Sequence, residues 1–450
     1  MRVVAAIALV FVLSLPLPGE ASHDLQALID DAPSGATISV PPGAHGPVTI
    51  TRPITLVGEP GAVIDGGGEG TVVRVTADDV TIRGLEITGS GDSLERENAG
   101  VFIEGAGGRV IGNTFTDVLF GVYVRHGVGT EIRGNEIGAK DLGPGRRGDP
   151  IKLWGSPGSQ VVDNSVTSGR DVVLWYSEES MVRNNTITDG RYGLHFMYSH
   201  DVVVEHNTLT DNSVGAFLMY SYRLTFNDNV VTGNHGPSGY GLGLKDVDGV
   251  EAHGNRFVGN RIGVYLDNSP TARGVEHHFT GNLFAHNDQG VTLLPAVAGN
   301  VFTDNAFVEN REQVGVAGSG TPSANAWSVD GTGNHWSDFV GYDADGDGIG
   351  DLSHQVNDLF SSLTDGTADL MIFSGSPAAR VVDAAARAFP SLRPEPKAVD
   401  PAPLISLPDW AFASDPEPAS STATAATAVA LMATSAALFT LARRRKEMAA

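Results

Sequence analysis

The sequence contains no cysteine. Disulfides and thiolate chemistry are therefore excluded, and a soft metal would have to rely on methionine and histidine. Basic residues are few: 29 Lys and Arg stand against 53 Asp and Glu, a formal net charge of −24. Such a chain lacks the basic surface that phosphate backbones require, so no nucleic acid is expected as a partner. The negative excess fits solubility, a saline habitat or cation binding, and does not choose among them. Methionine is also scarce, at 7 in 450 residues, which makes its placement informative.

What the sequence has is glycine, 56 residues, with 24 Pro and an apolar fraction of 41%. That is enough apolar material for a large core, broken by many turns rather than gathered into long helices. The start, "MRVVAAIALVFVLSLPLPGEAS", reads as a secretory signal over residues 1–21. Its apolar run is short and is followed by Pro16 and Pro18, which argues against a membrane helix. Near the other end, residues 418–442 carry no charge and are followed at once by "RRRKE". This predicts a transmembrane helix over 422–442 with a cytoplasmic basic tail over 443–450, a processed sorting tail being the competitor.

Between the ends an Asn recurs with an apolar residue two places on, at 113, 135, 164, 185, 207, 229, 255, 282 and 305. The shortest steps are 21 and 22 residues, and longer ones carry insertions such as "AKDLGPGRRGD" and "NHGPSGY". Short β-branched runs at this period predict an all-β fold, a right-handed parallel β-helix with one rung per repeat. Helical repeats run longer and need helix formers, and leucine-rich repeats need a leucine pattern that is absent. The Asn column is expected to stack inward, amide on amide. "DLQALIDDA" predicts a short N-terminal capping helix. The expected segments are a β-helix over 22–310, a C-terminal region over 311–375 and a Pro-rich linker over 376–421.

Counting back from the Asn column fixes which side chains face out. Val122, Ile151, Val172, Leu194, Ala216 and Leu242 stand thirteen places before it, and Val124, Leu153, Leu174, Phe196, Leu218 and Leu244 eleven places before. Both columns are wholly apolar and must face the core. Strand side chains alternate, so the columns between and after them point outward. These read Tyr123, Lys152, Val173, His195, Phe217, Gly243, and Arg125, Trp154, Trp175, Met197, Met219, Lys245. His195, Met197 and Met219 thus share an outer face, with Trp154, Trp175 and Phe217 beside them as an exposed stripe suited to a partner.

Thioether and imidazole suit copper, thioether favouring Cu(I); packing under a loop or subunit is the alternative reading. His200, in the following turn, and His206, in the next strand, read as solvated. In "NHWSDFVGYDADGDGIGD", Asp343, Asp345, Asp347 and Asp351 place hard oxygen ligands around a tight turn, as Ca²⁺ requires. The closing Glu of an EF-hand is missing. A carbohydrate-active β-helix enzyme is the functional alternative, with a surface adhesion module behind it. Lys245, Asp246, Asp248, Arg125 and Lys152 are its candidate groups, but the middle of the wall offers no pair of carboxylates for acid–base work on a sugar.

"GRYGLHFMYSHD", "GAFLMYS", "GYGLGLKD" and "GNHWSDFVGYDADGDGIGD" resemble the NosD family, over roughly residues 24–374. The resemblance implies an exported, non-catalytic β-helix protein of nitrous oxide reductase maturation. It also implies partners: the permease and ATPase of an ABC transporter, a copper chaperone lipoprotein, and the reductase whose copper centres are assembled. The matching positions are His195, Met197 and Met219. The Pro-rich linker and apolar tail depart from that pattern and put free diffusion in doubt.

Overall fold

The computed structural model describes residues 24–412 apart from 319, 321, 358, 365–372, 374, 375 and 393. The expected signal segment 1–21, membrane helix 422–442 and basic tail 443–450 lie outside the described residues. Among those described, no helix is long and apolar enough to cross a membrane.

Three parallel sheets of 12, 13 and 12 strands run the length of the coil, and in each of them every strand pairs with the strand of the next rung. The chain therefore makes about twelve turns, each contributing one strand to each wall. The helix α1, Leu25–Asp31, opens the coil with Leu25 and Ile29 buried. All twelve residues of the two inward columns are fully buried, so the alternation deduced from the sequence is the one observed. Phe226, Phe257, Phe284 and Phe307 stack along the core with centroids 6.3, 5.3 and 4.7 Å apart.

The Asn column forms an unbroken buried ladder. Asn113 donates its N–H and Nδ2 to Asn135 Oδ1 at 3.0 and 3.1 Å. The same pair of bonds repeats at every step through Asn164, Asn185, Asn207, Asn229, Asn255, Asn282 and Asn305 to Asn334. Each amide satisfies backbone groups that a tight corner would otherwise leave unpaired in the core. A second column, Asn212, Asn234, Asn260, Asn287 and Asn310, lies five residues after the first and does the same at the next corner. It escaped the sequence reading because it starts only midway along the coil.

The coil runs past the expected limit of residue 310: Glu312–Val316 and His335–Trp336 are still strands of its walls. The stretch expected as a linker is in part structured. Pro377–Ala388 is a helix, and Ala398–Asp400 pairs antiparallel with His354–Val356. Asp400, fully buried, accepts the N–H of Asn334 at 2.7 Å and Nε1 of Trp336 at 2.8 Å. Trp336 in turn stacks on Phe307 at 4.3 Å. One carboxylate thus closes both the amide ladder and the aromatic stack, which gives the proline-rich segment a packing role that composition could not show. Residues 407–412 belong to a separate unit and contain a 3-10 turn, Asp409–Phe412.

Replacing Asn207 by Ala should strand the Asn185 N–H and the Val182 carbonyl in the core. The expected loss is roughly 2–4 kcal/mol. Thr186→Ser on the exposed face should change stability by less than about 0.5 kcal/mol. Urea-unfolding midpoints of the two variants against the parent check this.

Candidate metal centre

Six consecutive strands of one wall carry the outward columns: β1 Phe120–Arg125, β2 Ile151–Trp154, β3 Asp171–Trp175, β4 Tyr192–Met197, β5 Val214–Met219 and β6 Tyr240–Lys245. Their register aligns Trp154, Trp175, Met197 and Met219 as successive neighbours. It aligns Lys152, Val173, His195 and Phe217 in the next column. Paired strands lie about 4.8 Å apart and i to i+2 along a strand is about 6.7 Å. The two thioethers are therefore adjacent, with the imidazole on the same face.

Backbone detail makes this stacking close. A Cβ at Gly193 would stand 2.4 Å from the Gly215 carbonyl oxygen, so only glycine lets β4 seat against β5 there. At the far end of the same strands, Tyr176, Tyr198 and Tyr220 take φ of +53°, +52° and +51°, turning the chain sharply after Trp175, Met197 and Met219. Their rings stack at 5.1 Å each, an aromatic ladder beside the thioethers.

The face is less open than the sequence suggested. Trp154, Trp175, Met197, Phe217 and Met219 are half-buried rather than exposed, and His195 is only 6% exposed although it points away from the core. The insertion after β1 accounts for part of the cover: Leu142 packs with Trp154 on a second apolar cluster formed by Phe102, Phe120 and Tyr123. Around His195, Trp175 and Tyr192 meet the imidazole edge-on at 5.4 and 5.1 Å.

A register shift at Asp171 aims that carboxylate toward the next rung. His195 Nδ1 and Asp171 Oδ2 are 3.1 Å apart, and Arg191 forks onto the same carboxylate through Nε, at 2.8 Å, and Nη2. Burial pushes the Asp171 carboxyl up, but Arg191 and His195 outweigh it and hold it below the usual range. Beside an ionised Asp171, Nδ1 is the nitrogen that carries the proton of the neutral imidazole, and Nε2 is then the one with the lone pair. That Nε2 is buried with no hydrogen-bond partner, as is Trp175 Nε1. Imidazole oriented by a carboxylate, with its second nitrogen free, is the arrangement that holds metals. The donor set fits a soft cation. Asp171 and Arg191 escaped the sequence reading; the signal was an acid one position before the apolar run of β3.

Of the other candidates, His200 stacks on Tyr222 at 3.5 Å with Nδ1 buried and unpartnered, and burial holds its pKa down. His206 is exposed at a corner with φ +56°, not in a strand. Asp149 and Asp171 are 7% and 2% exposed, so these two carboxyls are not presented to a polymer chain. Arg125, Lys152 and Lys245 are engaged by Glu104, Glu97 and Asp267. Asp248 binds Thr271 and the Ala272 N–H, while Asp246 accepts Asn268 Nδ2.

In the Asp-rich loop, ligand oxygens of Asp343, Asp345 and Asp347 lie within 4.8 Å of one another, whereas Asp351 accepts the Ala344 N–H at 2.8 Å. N–H groups of Gly348 and Gly346 hold the Asp343 carboxyl low, and the charge of Asp347 pushes Asp345 up.

A family model described as "Periplasmic copper-binding protein (NosD)" matches residues 128–341. The chain is 38% identical to "Probable ABC transporter binding protein NosD" of Pseudomonas aeruginosa over 83% of this chain and 88% of that protein. It is 35% identical to the protein of the same name from Stutzerimonas stutzeri, over 82% and 86%. Among solved structures it resembles the A-module of the mannuronan C-5 epimerase AlgE6 of Azotobacter vinelandii, with TM-score 0.53 and 16% identity. That likeness spans 68% of this chain and 93% of the other, and it shows a shared coil architecture alone.

The buried Asp149 yields a pH prediction. Burial, followed by repulsion from Asp171, raises its pKa to about 7. A raised folded-state pKa contributes stability that is full below the unfolded value, about 3.9, and is lost as pH rises through about 7. Asp149→Asn should therefore unfold at higher urea than the parent at pH 8, by on the order of 1–3 kcal/mol, with the gap closing toward pH 4.

Proposed function

The chain belongs to the NosD family, and on that premise we propose that it is an exported, non-catalytic factor that receives Cu(I) as cargo. It serves the assembly of the copper centres of nitrous oxide reductase. His195, Met197 and Met219 hold the ion. Trp154, Trp175 and Phe217 border it as a docking rim for a copper chaperone lipoprotein and for the permease of an ABC transporter, whose ATPase drives release. The protein works outside the cytoplasm, tethered by the helix expected over 422–442, and its coil has the right-handed sense expected of its class.

The observation that supports this reading is the buried, unpartnered Nε2 of His195, its ring anchored by Asp171, on the face that carries the paired thioethers. A soft monovalent ion supplies what that nitrogen lacks. The three clustered carboxylates of the Asp-rich loop would bind Ca²⁺, which relieves the repulsion between Asp345 and Asp347.

Titration of Cu(I) against a competing chelator is the test. Met197→Leu with Met219→Leu keeps the bulk and removes the sulfur, and should weaken binding by about tenfold or more. Thioether scattering should vanish from the X-ray absorption spectrum at the same time. A double variant that binds as tightly as the parent removes these methionines from the site.

For the loop, calorimetric titration with Ca²⁺ should show binding that Asp345→Asn weakens about tenfold. Equal heats from parent and variant would assign the carboxylates to solvent.

A further inference from the structure

Trp175 occupies a position that docking alone does not explain. Along its column the order is Trp154, Trp175, Met197, so the indole has the second tryptophan on one side and a thioether on the other. Its ring meets that of His195 at 90° with centroids 5.4 Å apart, and its Nε1 is buried without an acceptor. An indole is the strongest cation–π partner among the aromatic side chains, effective to about 6 Å from the ring centroid.

The same wall already holds one cation against its rings. Lys152 Nζ lies 4.6 Å from the Tyr123 centroid, 5.5 Å from Trp154 and 6.0 Å from Trp175. Its Nζ is nearer the Trp154 ring than the Trp175 ring, whereas Met197 and His195 neighbour Trp175 from the following rung. Glu97, 3.0 Å from Nζ, pairs with the lysine charge, and at 6.0 Å the ammonium stands at the outer limit of contact with the Trp175 ring.

We propose that Trp175 is a specificity-determining contact of the copper site, its indole closing the space beside His195, Met197 and Met219. This rests on the copper reading above. A ring in that place favours a soft, weakly hydrated monovalent ion in three ways: it supplies attraction without a lone pair, it excludes water and it blocks dioxygen. Zn²⁺ and Cu²⁺ hold nitrogen, oxygen and water ligands more strongly and give up more hydration to meet a ring. Thr186, on another wall of the coil, supplies the control position.

The test uses the full chain, loaded with Cu(I) under anaerobic conditions. Trp175→Phe and Trp175→Leu should weaken Cu(I) binding, about threefold to tenfold for Phe and more for Leu. Bound Cu(I) should oxidise several-fold faster in air in both variants, and preference over Zn²⁺ should narrow. Thr186→Ser, on the exposed face of another wall, should leave all three readouts within about twofold. In that variant, whose Trp175 is native, Cu(I) should quench tryptophan fluorescence; this readout stands even if the Trp175 variants misfold. Absence of quenching, or Trp175 variants matching the parent in affinity and air stability, overturns the proposal. If the double methionine variant has lost copper in the same assay, the copper reading survives that failure. If the methionine variant also binds like the parent, both fall together.

Discussion

The amide bond from one Asn to the next sets the position of everything outside it. A parallel wall has no intrinsic register, and a slip of one residue would turn each inward side chain outward. The buried Asn ladder removes that freedom because each Oδ1 accepts two N–H groups from the preceding rung and can do so only in one alignment. With the corner fixed, the parity of the strand that leads to it is fixed as well. His195, Met197 and Met219 face outward because Asn207 and Asn229 face inward, twelve or ten residues downstream.

That coupling explains why so much was legible in the sequence. The repeat, the two apolar columns and the neighbour relations of Trp175, Met197 and Met219 follow from spacing alone, and all recur in the structure. Legibility failed where non-local packing decides. Parity placed His195 outside, and outside was equated with exposed. Neighbouring rings, Trp175 and Tyr192, close around it instead. The role of Asp400 was hidden for the same reason: it closes a ladder that ends 66 residues earlier in the chain. In the Asp-rich turn, which is local, spacing alone brings Asp343, Asp345 and Asp347 together, while Asp351 stands outside that cluster and accepts the Ala344 N–H.

Burial of an outward histidine changes its chemistry. In water an imidazole samples many orientations and two tautomers. Here Asp171 fixes one, Arg191 fixes Asp171, and Tyr192 and Trp175 bracket the ring. The unpartnered Nε2 is thus held in one orientation by the protein alone, the kind of preorganisation that ligating imidazoles have. The carboxylate stays ionised despite its burial because two cationic or donor groups share it. Of this polar chain Asp171 and His195 are buried, while the Arg191 side chain reaches the surface.

Each amide in the ladder donates toward the C-terminal rung and accepts from the N-terminal one, at every step in the same sense. A rung is therefore modular: what it offers above matches what it requires below. Whole coils can be duplicated or deleted by unequal recombination without an unmatched junction, provided the closing carboxylate is kept. Lineages of such chains are free to lengthen or shorten the scaffold on either side of β3–β5. The length of wall on either side can then drift in evolution while His195, Met197 and Met219 keep their mutual spacing.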